Sequence, residues 1–194
     1  VELHVYEMTT ESILRELRAD RIDGAIMATP IPEGQFLEEP LYYEPFLIYF
    51  APDHLLLQQA QIRVEDLDGS EMWLLNDGHC FRNQVIRYCS LDRGDAALLK
   101  NIFFQSGSLD LLTRLVRIGQ GYTLMLTSYM TDEEKELHVR PFVDPTPTRE
   151  VSLVSRKDGP KTAIMNAIKT LIGEKVPSEF PRDLDRTIQR LEIC

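Results

Sequence analysis

Stretches with the two-residue period of a strand alternate along this chain with stretches of helical period, and that order restricts the fold to α/β architectures. Residues 1–6 alternate apolar and polar side chains, which predicts a strand. Thr10 is placed to cap a helix, with Glu11 behind it and Ile13, Leu14 and Leu17 on one face. Residues 23–27 read as a buried strand of the parallel type. Residues 36–50 form a long strand-rich run, interrupted at Pro40 and Pro45 and closed by Pro52, Asp53 and His54. Residues 65–67 read as a turn or short helix, and residues 72–75 and 102–105 as short strands. Ser108 is a cap for a helix whose apolar stripe is Leu112, Leu115, Val116 and Ile118, stopped by Gly119 or Gly121. A strand at 122–126, a polar helical stretch at 131–137, a strand at 149–155 and an amphipathic helix at 162–172 follow. A last charged helix is expected at 183–191.

The chain has 194 residues, room for one domain or two small ones, and its 43% apolar content is enough for a packed core. A net charge of −10 argues against a nucleic-acid-binding surface on this piece. Three cysteines are an odd count that fits a secreted disulfide framework poorly, so a reducing, cytoplasmic setting is expected. No apolar run approaches the ~20 residues that span a bilayer, and no signal peptide is seen at a start that lies inside a strand. Opening in a strand without a Met, the sequence reads as a fragment of a longer protein.

Cys80 and Cys89 stand nine positions apart, with neither Gly nor Pro between them and a helical pattern throughout. Nine helical steps carry the two thiols to roughly opposite faces, about 13 Å apart along the axis. A disulfide needs Cα atoms within roughly 7 Å, so the two cannot bond while the helix stands. Geometry alone leaves two readings: a redox switch in which oxidation and unfolding are one event, or two unrelated core cysteines. The loop at 90–95 contains Gly94 and is easily deformed. Asp77 is a candidate N-cap that puts Cys80 in the first turn, where the helix dipole favours a thiolate. His79 and Arg82 add adjacent polar or cationic groups, although each also reads as an ordinary cap or solvated charge.

The residues from Leu17 to Met27, the Pro52-Asp53-His54 strand end, and the segment from Ser108-Leu109-Asp110 to Gly121-Tyr122-Thr123-Leu124 resemble the effector domain of LysR-type transcriptional regulators. Gly78-His79-Cys80, Arg82 and a second cysteine at position 89 are similar to the hydrogen-peroxide-sensing branch of that family. The resemblance implies a two-subdomain α/β fold like the type II periplasmic binding proteins, with crossover strands near residues 45–48 and 149–151. Residues 1–46 with 150–194 would form one subdomain and residues 47–149 the other, carrying the cysteines. The winged helix-turn-helix and the first strand–helix unit of the effector domain are absent, together with a Thr that family members place near the reactive cysteine. The loop after Cys89, with Asp92-Arg93-Gly94-Asp95, is a few residues longer than the family's usual one.

The function implied by the resemblance is redox sensing without turnover, and therefore no enzyme, cofactor or metal. Cys80 is the peroxide-reactive thiol and Cys89 the resolving thiol, joined in a reversible disulfide. Thr10 would help position peroxide, and Arg149 would approach the thiol from the second crossover; on residues alone, these are a helix cap and a strand-end charge. The implied partners are hydrogen peroxide, a second copy in a homodimer, a tetramer in the full-length protein, promoter DNA through the absent domain, RNA polymerase, and glutaredoxin or thioredoxin as reductant. Two rivals remain: a metabolite-binding effector domain with bystander cysteines, and a thiol peroxidase. A zinc site on His79, Cys80 and Cys89 is disfavoured, because the two thiols point apart on a helix. Cys194 has no partner in this scheme and reads as an incidental exposed thiol.

Overall fold

The computed structural model describes residues 2–31, 34–74, 80–89, 108–159 and 161–191, without the side chains of residues 80–83. Its organising element is a 15-residue strand, β2 (Phe36–Phe50), which follows the helix α1 (Thr10–Arg18) and the strand β1 (Gly24–Thr29). Helices α2 (Cys80–Tyr88) and α3 (Leu109–Ile118) precede the strand β3 (Tyr122–Leu126). Then come helix α4 (Asp132–His138), strand β4 (Val139–Pro141), strand β5 (Thr146–Arg156), helix α5 (Thr162–Lys175) and strand β6 (Ile188–Arg190). The strand order is β1-β5-β2-β3, with β4 on β2 and β6 on β5. Among the pairings of these named strands only the short β5–β6 pairing is parallel.

β2 changes neighbours along its length. From Phe36↔Arg156 to Pro45↔Thr148 it pairs with β5, past a register shift between Pro40 and Tyr42. From Phe46↔Leu126 to Phe50↔Tyr122 it pairs with β3. The main core gathers around this second stretch, where Phe46, Ile48 and Phe50 meet Leu112, Leu124, Phe142 and, from α2, Val85 and Ile86. A separate cluster joins Leu14 and Leu17 of α1 to Met27, Phe36 and Val154. Helix α3 is held by Ser108, whose Oγ accepts from the Leu111 N–H at 3.3 Å, and it ends at Gly119. Gly121 follows at φ +86, where an added Cβ would stand 2.0 Å from the Glu71 carbonyl oxygen, so only glycine fits.

Several sequence expectations are corrected. Residues 2–9 form no strand: Leu3, Val5 and Tyr6 are exposed, and the alternating segment pairs with no strand among the described residues. The cap of α1 is Thr9 and not Thr10, since Thr9 is extended and accepts from the Ser12 N–H at 3.4 Å, while Thr10 is already helical. β1 is antiparallel to β5, and Ile26 on it is 52% exposed, so it is not the doubly covered strand its apolar run implied. Residues 72–74 contribute only a bridge from Met72 to Tyr122. Ile118 is exposed and leaves the α3 stripe. The last helix is replaced by a turn and β6: the Asp185 carboxylate accepts from the Thr187 N–H at 2.8 Å, a local bond that competes with helix, and the Leu191 N–H then donates to the Thr148 carbonyl. The expected loop at 90–95, the strand at 102–105, His79 and Cys194 lie outside the described residues.

Candidate functional site

Helix α2 carries at its ends the two cysteines expected to form the switch. Cys80 is its first helical residue, and Cys89 directly follows its last, with the Cys89 N–H donating to the Val85 carbonyl at 3.0 Å. The backbone between them is therefore continuous helix, and its rise of about 13 Å exceeds the roughly 7 Å reach of a disulfide. Three consecutive side chains seat the helix: Gln84 and Val85 are fully enclosed and Ile86 is 9% exposed. Gln84 Nε2 donates to the Leu191 carbonyl at 3.4 Å. Tyr88 meets Phe142 edge-on, with ring centroids 5.2 Å apart. Unwinding α2 would uncover Val85 and Ile86, at a cost of about 1.5–3 kcal/mol each.

The environment of Cys89 is apolar. Its half-buried thiol packs against the main core, and burial pushes its pKa up to about 12. A thiol so held stays protonated near neutral pH and is a poor first nucleophile toward peroxide. Burial also pushes the neighbouring Tyr88 hydroxyl up to about 12. Of Cys80, Arg82 and Asn83 only the backbone is described, in the first turn of α2.

The β2–β5 pairing supplies a second polar feature that the sequence did not announce. Arg149, predicted to face the thiol, is bound to the fully buried Glu44: its Nε and Nη2 approach the Glu44 Oε2 at 2.8 and 2.7 Å. Glu44 Oε1 also accepts from the Ser128 N–H at 3.2 Å and from the Ser128 hydroxyl. Next in register, the buried Glu150 accepts from Thr29 Oγ1 at 2.8 Å, the Tyr43 hydroxyl at 3.0 Å and Arg190 Nη1 at 2.9 Å. Burial raises the Glu150 carboxyl, but the bonds from Thr29, Arg190 and Tyr43 outweigh it, and the net pKa lies below the ordinary carboxylate value. Thr10 is half-buried at the first turn of α1. The one signal for the acids was an isolated Glu inside an aromatic or β-branched strand, as in Tyr42-Tyr43-Glu44 and Glu150-Val151. Among the described residues no group of His, Cys, Asp and Glu is arranged to hold a metal, and no helix is long and apolar enough to cross a membrane.

A family model described as the LysR substrate binding domain matches residues 1–177. The hydrogen peroxide-inducible genes activator of Haemophilus influenzae is 32% identical over 181 residues, covering 92% of this chain and 58% of its own length. The DNA-binding transcriptional dual regulator OxyR of Escherichia coli strain K12 is 27% identical over 190 residues, covering 97% and 61%. This chain thus spans about six-tenths of the length of those relatives. Among solved structures, OxyR from Porphyromonas gingivalis superposes with a TM-score of 0.83 at 33% identity, over 98% of this chain and 86% of that one. The reduced form of the same protein gives 0.82 at 34% identity, with the same coverage.

Proposed function

We propose, since this chain belongs to the LysR substrate binding domain family with its periplasmic-binding-protein-like fold, that it is the sensing half of a hydrogen-peroxide-responsive transcription regulator. The observation that carries the reading is the unbroken helix α2 between Cys80 and Cys89. A pair of thiols held apart by one helical segment can bond only if that segment changes shape, so oxidation state and conformation become one variable. The name of the Haemophilus influenzae relative, hydrogen peroxide-inducible genes activator, supplies the oxidant.

In the proposed mechanism the Cys80 thiolate attacks one peroxide oxygen and the O–O bond breaks, leaving a Cys80 sulfenic acid and, after proton uptake, water. Placement at the start of α2 favours that thiolate through the helix dipole. Residues around it unwind, Cys89 attacks the Cys80 sulfur, and the sulfenic oxygen leaves as a second water. Two thiols and one peroxide become one disulfide and two waters. Glutaredoxin or thioredoxin returns the pair to thiols in the cytoplasm. Thr10, His79, Arg82 and Arg149 are proposed as the groups that position peroxide and steady the thiolate. Because Arg149 already pairs with Glu44, its contribution is as a positioning residue.

The division into residues 1–46 with 150–194 and residues 47–149 is proposed to follow the exchange of partners along β2. The altered α2 region would then re-space a dimer, a tetramer in the full-length protein, on promoter DNA in contact with RNA polymerase. The test is one equivalent of hydrogen peroxide on the reduced protein, followed by thiol blocking and peptide mass spectrometry. The expected product is a Cys80–Cys89 link. Cys80→Ser abolishes all reaction, and Cys89→Ser stops at the sulfenic acid. Equal behaviour of the two variants overturns the assignment.

A further inference from the structure

Gln84 lies in the middle of α2, one turn past Cys80, and its side chain is 1% exposed. Its Nε2 donates to the Leu191 carbonyl at 3.4 Å, longer than the roughly 2.7–3.2 Å of a well-formed N–H···O bond. Its Oε1 is enclosed and accepts from no donor. The amide gains nothing by turning over, because the oxygen would then face the Leu191 carbonyl, acceptor against acceptor. With under 1 Å² of accessible surface, that oxygen is closed to water as well. The buried acids of the β2–β5 pairing are provided for differently: Glu44 and Glu150 each have donors on both oxygens. A buried acceptor without a donor is rare in a native fold, and in α2 it falls between the two cysteines.

Such an acceptor has given up its hydration and received nothing in return. The helical, seated form of α2 bears that cost, and the unwound form does not, since Oε1 then meets water. Val85 and Ile86 pull the other way, into the core they share with Phe46, Leu112 and Phe142. The seat of α2 is thus two apolar side chains opposed by one polar side chain that the core leaves half satisfied. An apolar side chain of the same shape at position 84 would seat the helix more firmly, because it has no hydration to lose. We infer that Gln84 is a built-in weak point that keeps α2 poised to open, and that it thereby sets the rate at which Cys89 reaches Cys80. The inference rests on the peroxide-switch reading and concerns its second step. Gln84 takes no part in the attack of Cys80 on peroxide; it acts through the helix, as a positioning residue.

The test replaces Gln84 with Met, which keeps the length of the side chain and removes both amide atoms. In the reduced protein, amide hydrogen exchange over residues 84–89 is expected to slow about tenfold relative to the unaltered chain. Peroxide-driven formation of the Cys80–Cys89 disulfide is expected to slow by a similar factor. Sulfenic acid formation at Cys80, followed with a dione trap in the Cys89→Ser background, is expected to keep its rate. That split between the two steps separates control of opening from a change in the reactivity of Cys80. Gln84→Glu sets an acceptor against the Leu191 carbonyl and encloses a charge, and is expected to speed both exchange and disulfide formation. Exchange in α2 that is unchanged or faster in Gln84→Met overturns the inference, and that variant decides it should Gln84→Glu fail to fold. Slower exchange with an unchanged disulfide rate overturns the control of the switch by Gln84. An unaltered protein that forms no Cys80–Cys89 link under peroxide overturns the switch reading, while the exchange comparison still decides whether Gln84 loosens the helix.

Discussion

Helix α2 and the β2–β5 pairing both bury their inner side chains, yet they are held by different chemistry. α2 is seated by Val85 and Ile86 in the apolar core and by one 3.4 Å side-chain bond from Gln84. The β2–β5 pairing is fastened by Glu44 and Glu150, buried carboxylates that accept from Arg149, Ser128, Thr29, Tyr43 and Arg190. Apolar burial is non-directional and is re-made wherever a side chain finds another dry surface. A charge-assisted network holds only in the geometry that satisfies each group. Equal burial therefore does not mean equal rigidity. Of the two regions, α2 is the one whose proposed rearrangement would break few directed bonds.

The largest expected effect falls on the rigid region. Glu150→Ala leaves the donors of Thr29, Tyr43 and Arg190 without their acceptor and is expected to cost about 3–5 kcal/mol. Urea unfolding measures it, and a cost near zero would erase the contrast between the two regions. At α2, the buried Cys89 thiol, with its pKa pushed up to about 12, is expected to alkylate about a hundredfold or more slowly in the folded protein than in urea. Equal rates would mean that the end of α2 is already open. Val85→Ala is expected to cost about 2 kcal/mol. It should raise hydrogen exchange in α2 well before the strands respond, and uniform loss of protection would count against separate behaviour. The smallest effect is in acid. Glu150 has a lowered folded pKa, so its contribution is complete above its unfolded value of about 4.3 and is lost as pH falls through the folded one. Glu150→Gln is expected to flatten that limb of a stability–pH curve.

Much of the framework was legible because it rests on local patterns. The run at 36–50 matches β2 end to end despite Pro40 and Pro45, and residues 122–126 match β3. The Ser108 cap was legible from the serine itself, one residue before an apolar stripe. What failed depended on partners distant in sequence. Residues 2–6 alternate like a strand but form no ladder with the other described residues. Residues 183–191 have helical composition, but the ladder offered by β5 and the Asp185 turn takes them instead. The cap of α1 was one residue off because Thr9 and Thr10 are chemically identical, and only the backbone angle separates them. At the site, the helix between the cysteines was read correctly from the absence of Gly and Pro. The pairing of Arg149 with Glu44 was not, since cross-strand register is invisible before the strands are placed.

The bond from Gln84 to the Leu191 carbonyl joins residues 107 positions apart. A ribosome adding about 5–20 residues per second takes on the order of 5–20 s to span that interval. Until Leu191 is added the Gln84 amide has no acceptor, and for about the first half of that interval Tyr88 also lacks Phe142, the ring it meets edge-on. Under the proposed switch, the Cys80–Cys89 segment of a nascent chain therefore waits for its seat, and oxidant present during synthesis would meet it before the core closes.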